Sequence, residues 1–431
     1  MSKKEESKWP LPFSKPEEAG FSSERLARIR PGLQKFIDKQ QVPNLVTLVA
    51  RHGKIVHYDA QGCIDLENKK PAQKDTIFRL YSNSKPVAGL ATMICVEDGL
   101  LALDDPVSKY IPAFKNSKVL ASNAAGQSQS GPSFAIPIVP AKREITLRDC
   151  LRNTTGLATP QRFPVSLMPQ FKDIIAESGW DLMELDKPPR KSFREMVEAH
   201  ARLPLTFEPG TEFEYHVGYP VIGVVIEEIT GKTLEEFYRE RIFKPLEMKD
   251  TSFYLDKKKL DRFSSCYQPK HDKAGWSLTV YDLAETSEKI KGPKVCYGAG
   301  GNMGGLLSTV ADYARFAQML LNNGELDGMR LLGRKSVELM TSNHTGNILV
   351  PMFGPGFGFG IGAGVYLGGS PRPIMRSVGT YGWGGAAGTT FFADPREDLI
   401  AVCFTQLFGG MMMPGNNYQD EFERLVYQSL I

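Results

Sequence analysis

A serine and a lysine three residues apart form the most reactive pairing in this sequence. Ser82 and Lys85 belong to the segment SNSK, the only S-x-x-K in the chain. A helix that begins near Ser82 would place both side chains on one face, and its positive end would favour negative charge at the serine. A buried lysine loses proton affinity, so Lys85 could accept the serine proton. The pair therefore predicts a serine nucleophile for acyl transfer.

The tetrapeptide alone also fits a simpler interpretation, in which Ser82 caps a helix and Lys85 lies on its exposed face. The residues that follow favour catalysis, because they predict a core helix. Pro86 fits the first turn of a helix, and Gly99 is a stop signal. Apolar residues recur between them at helical spacing, at Val87, Leu90, Ala91, Ile94 and Cys95.

The composition is that of a globular protein with two structural units, or with one domain and an insertion. The chain has 431 residues, of which 42% are hydrophobic. Its 52 Lys and Arg residues against 49 Asp and Glu give a net charge of +3, so nucleic acid is not an expected partner. Residues 1–9 lack the apolar core of a secretory signal, and no run of about 20 apolar residues predicts a membrane span. These features predict a cytoplasmic protein.

Cysteine and histidine spacing predicts neither a disulfide framework nor a metal site. The six cysteines form no C-x-x-C pair and are scattered at Cys63, Cys95, Cys150, Cys266, Cys296 and Cys403. That pattern is typical of reduced thiols. The six histidines form no H-E-x-x-H segment. We therefore expect no metal and no organic cofactor.

Strand patterns near both ends of the chain predict two hairpins. Their strands are residues 45–50 and 54–58, then residues 389–393 and 399–404. An amphipathic helix at residues 26–37 precedes the first hairpin, and a closing helix with apolar residues from 422 to 430 follows the second. Both ends of the chain are therefore expected to share one sheet.

The middle of the chain is mostly helical in its pattern. Apolar residues recur at helical spacing in residues 193–201, 221–229, 233–242 and 311–321. Residues 117–142 are rich in Ser, Gly, Ala and Pro and predict a long loop, whereas residues 351–364 are strand-like.

We predict an α/β fold, an antiparallel sheet flanked by helices with an inserted, mainly helical domain. The predicted sheet domain is discontinuous, at 1–115 and 296–431, and the helical domain spans 116–295. The active site is expected at their junction.

Five segments resemble, in the same order, motifs of the class C β-lactamase-like superfamily, which has the penicillin-binding protein fold. They are FRLYSNSKP at 78–86, ITLRDCLRNTTGL at 145–157, YHVGYPVIG at 215–223, GGNMGGLLST at 300–309 and WGG at 383–385. The resemblance covers nearly the whole chain. It implies the superfamily's β-lactamase/transpeptidase-like fold and its serine acyl-enzyme chemistry.

The resemblance also assigns roles to other residues. Tyr215 matches the catalytic tyrosine, and a phenol whose pKa is lowered by Lys85 would relay protons among Ser82, the leaving alkoxide and water. Which of Lys85 and Tyr215 first takes the serine proton stays open, because coupled groups titrate as a pair. The main-chain N–H groups of Ser82 and Ala386 would form the oxyanion hole.

Two departures from true β-lactamases favour esters as substrates. Penicillin-active members usually carry Y-x-N and K-T-G, where this chain has Val217 and WGG. Trp383 cannot attract a β-lactam carboxylate as lysine does, but an indole suits an apolar ester. The predicted substrate-binding residues are Trp383, Gly384, Gly385 and His216. For His216, an ordinary hydrogen-bonded side chain is the alternative.

Within the superfamily the chain looks most like family VIII carboxylesterases and polyketide side-chain acyltransferases. This resemblance implies hydrolysis of small, short-chain carboxylic esters and leaves the oligomeric state open. The alternatives are a β-lactamase with modest cephalosporin turnover, an acyltransferase to a large alcohol, and a non-catalytic ligand-binding relative. In an acyltransferase, residues 117–142 and 411–413 would line the acceptor pocket, unless they serve packing or loop structure alone.

Overall fold

An eight-stranded sheet lies at the centre of the computed structural model, which describes residues 11–121, 137–159, 162, 169–177, 192–215, 218–273, 275–290 and 305–431. From one edge to the other, its strands are β12 (Phe357–Phe359), β13 (Gly364–Tyr366), β14 (Tyr381–Gly384), β15 (Thr390–Asp394), β16 (Leu399–Phe404), β1 (Asn44–Arg51), β2 (Lys54–Asp65) and β3 (Lys70–Pro71). Every neighbouring pair is antiparallel. The predicted fold class, an antiparallel sheet flanked by helices, is confirmed.

Both predicted hairpins are present, and they lie side by side. β1 and β2 are joined by His52 and Gly53, whose φ angles of 54° and 69° suit the tight turns of hairpins. β15 and β16 form the second hairpin. β1 then pairs with β16, with Val46 opposite Phe404, so the two ends of the chain share the sheet as expected.

Eleven helices of the α type are present among the described residues. They are α1 (Ser23–Leu26), α2 (Ile29–Asp38), α3 (Lys85–Glu97), α4 (Leu147–Leu151), α5 (Lys172–Glu177), α6 (Phe193–Ala201), α7 (Gly218–Thr230), α8 (Leu234–Tyr238), α9 (Val310–Leu321), α10 (Arg334–Met340) and α11 (Tyr418–Gln428). A π turn, Arg239–Phe243, continues α8. The helices predicted from apolar spacing are therefore confirmed.

The central strands are buried on both faces because helices cover each side. In β16, successive residues alternate between two hydrophobic clusters. One cluster joins Leu399, Ala401 and Cys403 to α1, α2 and α11, and the other joins Ile400, Val402 and Phe404 to α3 and α9. The second cluster continues into α7 and α8. The domain boundaries at 115/116 and 295/296 stay a prediction.

Four further strand pairs lie outside the large sheet. They are β4 (Phe78–Arg79) with β9 (Leu307–Ser308), β5 (Lys118–Leu120) with β6 (Ile138–Pro140), β7 (Cys266–Asp272) with β8 (Gly275–Asp282), and β10 (Glu325–Leu326) with β11 (Met329–Arg330). The ends of residues 117–142 are therefore strands rather than loop, and residues 122–136 lie outside the described ranges. Among the described residues, no helix is long and apolar enough to cross a membrane.

Candidate active site

Ser82 lies in a 3-10 turn, Tyr81–Ser84, that leads directly into α3. Pro86 occupies the first turn of α3, and Gly99 follows its end with a φ of 71°. Both helix boundaries agree with the sequence pattern. The helix is buried on every side from Lys85 to Cys95, not along one stripe only, which makes it a central core helix. Ser82 itself is half-buried at the N-terminal end of this helix.

The residues before Ser82 are anchored by buried polar and aromatic contacts. Arg79 is fully buried, and its guanidinium lies 2.6 Å from the carboxylate of Asp282 and 4.0 Å from the ring of Phe263. Tyr81 has a φ of 48°, in the left-handed region, which is strained for a residue with a bulky side chain. The turn is thus held in a conformation that an isolated peptide would avoid.

The residue after Ser82 is fixed from α9. The Tyr313 hydroxyl donates to the main-chain oxygen of Asn83 at 2.8 Å and lies 2.9 Å from its Oδ1, and both residues are fully buried. This contact was not predicted from the sequence. No local signal identifies it, because 230 residues separate the partners.

Lys85 points at the serine. Its Nζ lies 3.0 Å from the Ser82 Oγ, and the side chain is completely buried. Burial lowers the pKa of Lys85 well below its usual value, because the ammonium ion loses its hydration. The rings of Tyr215 and Tyr219 lie 4.5 and 5.2 Å from the Nζ. Tyr219 received no role from the sequence, although it lies four residues after Tyr215.

Tyr215 precedes α7 and completes the cluster beside Ser82 and Lys85. Burial raises the pKa of its phenol, while interactions with the Ser82 hydroxyl and the Trp383 indole oppose that rise. The expectation that Lys85 lowers the pKa of Tyr215 is therefore wrong. Burial also disfavours the charged form of Lys85, so the positive charge that was expected to lower the pKa of Tyr215 is itself destabilised.

Trp383, on β14, holds Tyr215 by a hydrogen bond. The indole Nε1 donates to the Tyr215 hydroxyl at 3.0 Å. Only 4% of Trp383 is exposed, because Phe359 and Phe353 pack edge-on at centroid distances of 4.7 and 5.4 Å. The polar edge of the indole is thus directed at Tyr215, and contact of Trp383 with substrate stays a prediction.

The glycines after Trp383 bring the end of β14 against the serine turn. A Cβ on Gly385 would lie 2.1 Å from the Leu80 main-chain oxygen, so only glycine fits there. Thr389 fastens the same contact, since its Oγ1 donates to that oxygen at 3.0 Å. Ala386 is exposed, and in the described part of the chain its main-chain N–H donates to no acceptor. The oxyanion-hole assignment of Ser82 and Ala386 remains a prediction.

Some predicted positions lie outside the described residues, namely His216, Val217 and residues 300–304. Across the described ranges, no group of three or more His, Cys, Asp or Glu side chains is arranged to hold a metal ion.

A Ser-Lys-Tyr cluster between a core helix and an antiparallel sheet defines a class, the serine β-lactamase-like proteins. Comparison with known families matches residues 29–423 to the family described as Beta-lactamase. The chain belongs to this family, as the resemblance of its motifs implied.

Relatives extend over most of the chain. The lovastatin esterase of Penicillium rubens is 30% identical over 352 residues, which cover 78% of this chain and 80% of the relative. Esterase EstB of Burkholderia gladioli is 26% identical over 398 residues, covering 90% and 92%. Among solved structures, EstCE1, described as a hydrolase with promiscuous acyltransferase activity, is 26% identical with a TM-score of 0.73, covering 94% of this chain and 99% of that one.

Proposed function

We propose that the protein is a serine carboxylesterase of the family VIII type, which hydrolyses short-chain carboxylic esters through an acyl-Ser82 intermediate. The observation that carries this proposal is the 3.0 Å distance between the Ser82 Oγ and the Nζ of the buried Lys85. The two relatives named as esterases, each matching more than three quarters of the chain, support this class of reaction.

Acylation begins when neutral Lys85 takes the Ser82 proton as the Oγ bonds to the ester carbonyl carbon. The directions of the pKa shifts favour this order, because burial makes Lys85 easier to deprotonate and Tyr215 harder. The N–H groups of Ser82 and Ala386 bind the oxyanion. The bond to the alcohol oxygen then breaks, the phenol of Tyr215 protonates that oxygen, and the Lys85 ammonium returns a proton to Tyr215.

Deacylation repeats these steps with water in place of the alcohol. Water loses its proton through Tyr215 and Lys85 as its oxygen bonds to the acyl carbon. The bond between the acyl carbon and the Ser82 Oγ breaks, and the Oγ takes the proton that Lys85 received from water. The carboxylic acid leaves and the enzyme returns to its starting state.

The proposal is tested by comparing the wild type with Ser82→Ala on p-nitrophenyl esters from acetate to octanoate, with a chromogenic cephalosporin in parallel. We expect preference for short acyl chains and a loss of about 10⁴-fold or more in kcat for Ser82→Ala. Ser23→Ala, at an exposed serine, is the matched control and should retain wild-type activity. Retained ester turnover in Ser82→Ala, or cephalosporin turnover above that of every ester, would contradict the proposal.

Acyl transfer to an alcohol is a second candidate, favoured by the similarity to EstCE1 with its described acyltransferase activity. The two outcomes differ only in whether water or an alcohol attacks the acyl-Ser82. The test adds alcohol acceptors to the ester assay and separates the new ester from the carboxylic acid. The ratio of these two products measures how the acyl group is divided between alcohol and water.

A further inference from the structure

A buried glutamine that follows β16 binds the main chain of the segment leading to Ser82. Gln406 is fully buried, and its side-chain amide pairs with Arg79 in both directions. The Arg79 main-chain N–H donates to the Gln406 Oε1 at 2.9 Å, and the Gln406 Nε2 donates to the Arg79 main-chain oxygen at 3.1 Å. Neighbouring antiparallel strands exchange the same pair of bonds, so one side chain here takes the place of a strand beside β4.

Main-chain hydrogen bonds hold the same segment from β9. Arg79 lies opposite Leu307 in the pairing of β4 with β9, and the Leu80 N–H donates to the Leu306 oxygen at 2.8 Å. The segment is therefore fixed by a strand and by Gln406. Arg79 is only three residues before Ser82, so its placement carries over to the Ser82 N–H.

The chain that follows Gln406 fixes the residue with the other predicted oxyanion donor. The Leu407 N–H donates to the Ala387 oxygen at 2.8 Å, and the Gly409 N–H donates to the Ala386 oxygen at 3.2 Å. Gln406 is thus the point where the two halves of the predicted oxyanion hole are joined. Its side chain binds the segment before the serine, and the main chain after it binds residues 386–387.

We propose that Gln406 is a positioning residue for the oxyanion hole, and that it sets the distance between the main-chain N–H groups of Ser82 and Ala386. This inference rests on the proposed esterase function and adds the residue that aligns its two oxyanion donors. Two N–H groups stabilise an oxyanion fully only when both point at the place where the negative charge develops. A small shift of one segment therefore weakens this stabilisation in the transition state.

The chemistry of the side-chain amide explains why glutamine serves here. It offers one donor and one acceptor, which match the oxygen and the N–H of a single residue. Gln406→Glu keeps the length and the acceptor, and it loses the donor when ionised. Gln406→Met keeps a similar length and loses both groups. The two variants therefore remove the contact with Arg79 in steps.

The experiment measures kcat and KM on p-nitrophenyl acetate and the inhibition constant Ki of phenylboronic acid. The Ser82 Oγ bonds to boron and passes its proton to Lys85, and the tetrahedral adduct places a boron-bound oxygen in the oxyanion hole. For Gln406→Met we expect kcat to fall about tenfold or more and KM to stay within twofold. Ki should rise by a similar factor, because the adduct resembles the transition state. Gln406→Glu should give smaller changes in the same directions.

The matched control is Gln61→Met, at a buried glutamine on β2. The Gln61 Nε2 donates to the Arg30 main-chain oxygen at 3.1 Å and to the Gln34 Oε1 at 2.9 Å. This substitution should lower the urea midpoint and leave Ki and KM unchanged. Both constants are independent of the folded fraction, so they separate a change in the site from a loss of stability.

Two results would overturn the assignment. An unchanged Ki in Gln406→Met, or in Gln406→Glu if the methionine variant does not fold, would show that Gln406 contributes stability alone. A shifted acid limb of the kcat/KM profile would place the effect on the pair of Ser82 and Lys85 instead of the oxyanion donors. Retained turnover in Ser82→Ala is a different result, because it contradicts the esterase function itself whatever Gln406 does.

Discussion

Replacing Trp383 by phenylalanine distinguishes two roles for this residue. The sequence predicts an aromatic wall that contacts substrate, whereas the structure directs the indole N–H at the Tyr215 hydroxyl at 3.0 Å. Phenylalanine keeps an aromatic ring between Phe353 and Phe359 but cannot donate a hydrogen bond. If Trp383 acts by positioning Tyr215, the substitution should lower kcat. If Trp383 contacts substrate, the substitution should raise KM.

The size of the effect follows from the lost hydrogen bond. Trp383 is buried, and the Tyr215 hydroxyl would lose a donor at a site where burial already raises the pKa of the phenol. Leaving a buried hydroxyl without this partner costs about 1–2 kcal/mol. If the bond is fully made in the transition state, kcat falls by about five- to thirtyfold and KM stays within twofold. The smaller ring also lowers the free energy of unfolding by about 1–3 kcal/mol.

The assay is a pair of Michaelis–Menten measurements on p-nitrophenyl acetate, with urea unfolding to confirm that both proteins are folded. Trp276→Phe is the matched control, because Trp276 lies 41% exposed on β8 and should be replaceable with less than a twofold change in kcat. A raised KM with unchanged kcat in Trp383→Phe would refute the positioning role and would indicate that Trp383 contacts substrate directly.

Three further predictions concern the core of the site. Lys85→Met should abolish esterase activity yet raise the free energy of unfolding at pH 7 by about 0.5–2 kcal/mol. Because folding lowers the pKa of Lys85, wild-type stability rises with pH up to the usual lysine pKa, so the stability gain of the variant should shrink between pH 7 and pH 10. A gain that stays constant over this pH range in urea unfolding would contradict this prediction. Gly385→Ala should lose at least about 1 kcal/mol of stability and most activity, since the added Cβ would lie 2.1 Å from the Leu80 main-chain oxygen. In Gly384→Ala the atom nearest the added Cβ lies at 3.1 Å, so this control should lose less stability and less activity. Tyr313→Phe should lower the free energy of unfolding by about 1–3 kcal/mol and reduce kcat, because the Asn83 acceptors lose their donor; an unchanged urea midpoint would exclude this role.

Local sequence patterns predicted the elements whose ends are marked by proline, glycine or turn residues. Pro86 and Gly99 marked the ends of α3, and turn residues marked the hairpin of β1 and β2. β7 and β8 were missed, because charged residues and Pro269 weaken the strand pattern and only the fold pairs them. β5 and β6 were missed because three-residue strands carry too little signal.

The candidate site was predictable where chemistry lies in neighbouring residues and unpredictable where it depends on burial or distance. The spacing of Ser82 and Lys85 predicted their contact. The hydrogen bond from Trp383 to Tyr215 joins residues 168 positions apart, so no local pattern encodes it. The direction of the Tyr215 pKa shift was mispredicted because sequence spacing reveals proximity to Lys85 but not the burial of both groups.

Burial is therefore the physical reason why Lys85 is proposed as the base and Tyr215 as the acid. One buried environment lowers the pKa of Lys85 and raises that of Tyr215, because it penalises the charged form of each. The amine is thereby prepared to accept a proton and the phenol to donate one, without a metal ion or a third charged residue being required by the scheme. With Lys85 as the base, the acid limb of the kcat/KM profile reports the ionisation of Lys85, because protonated Lys85 cannot accept the Ser82 proton. Activity should then rise with pH through that pKa, and a profile that falls over the same range would assign the base to another group.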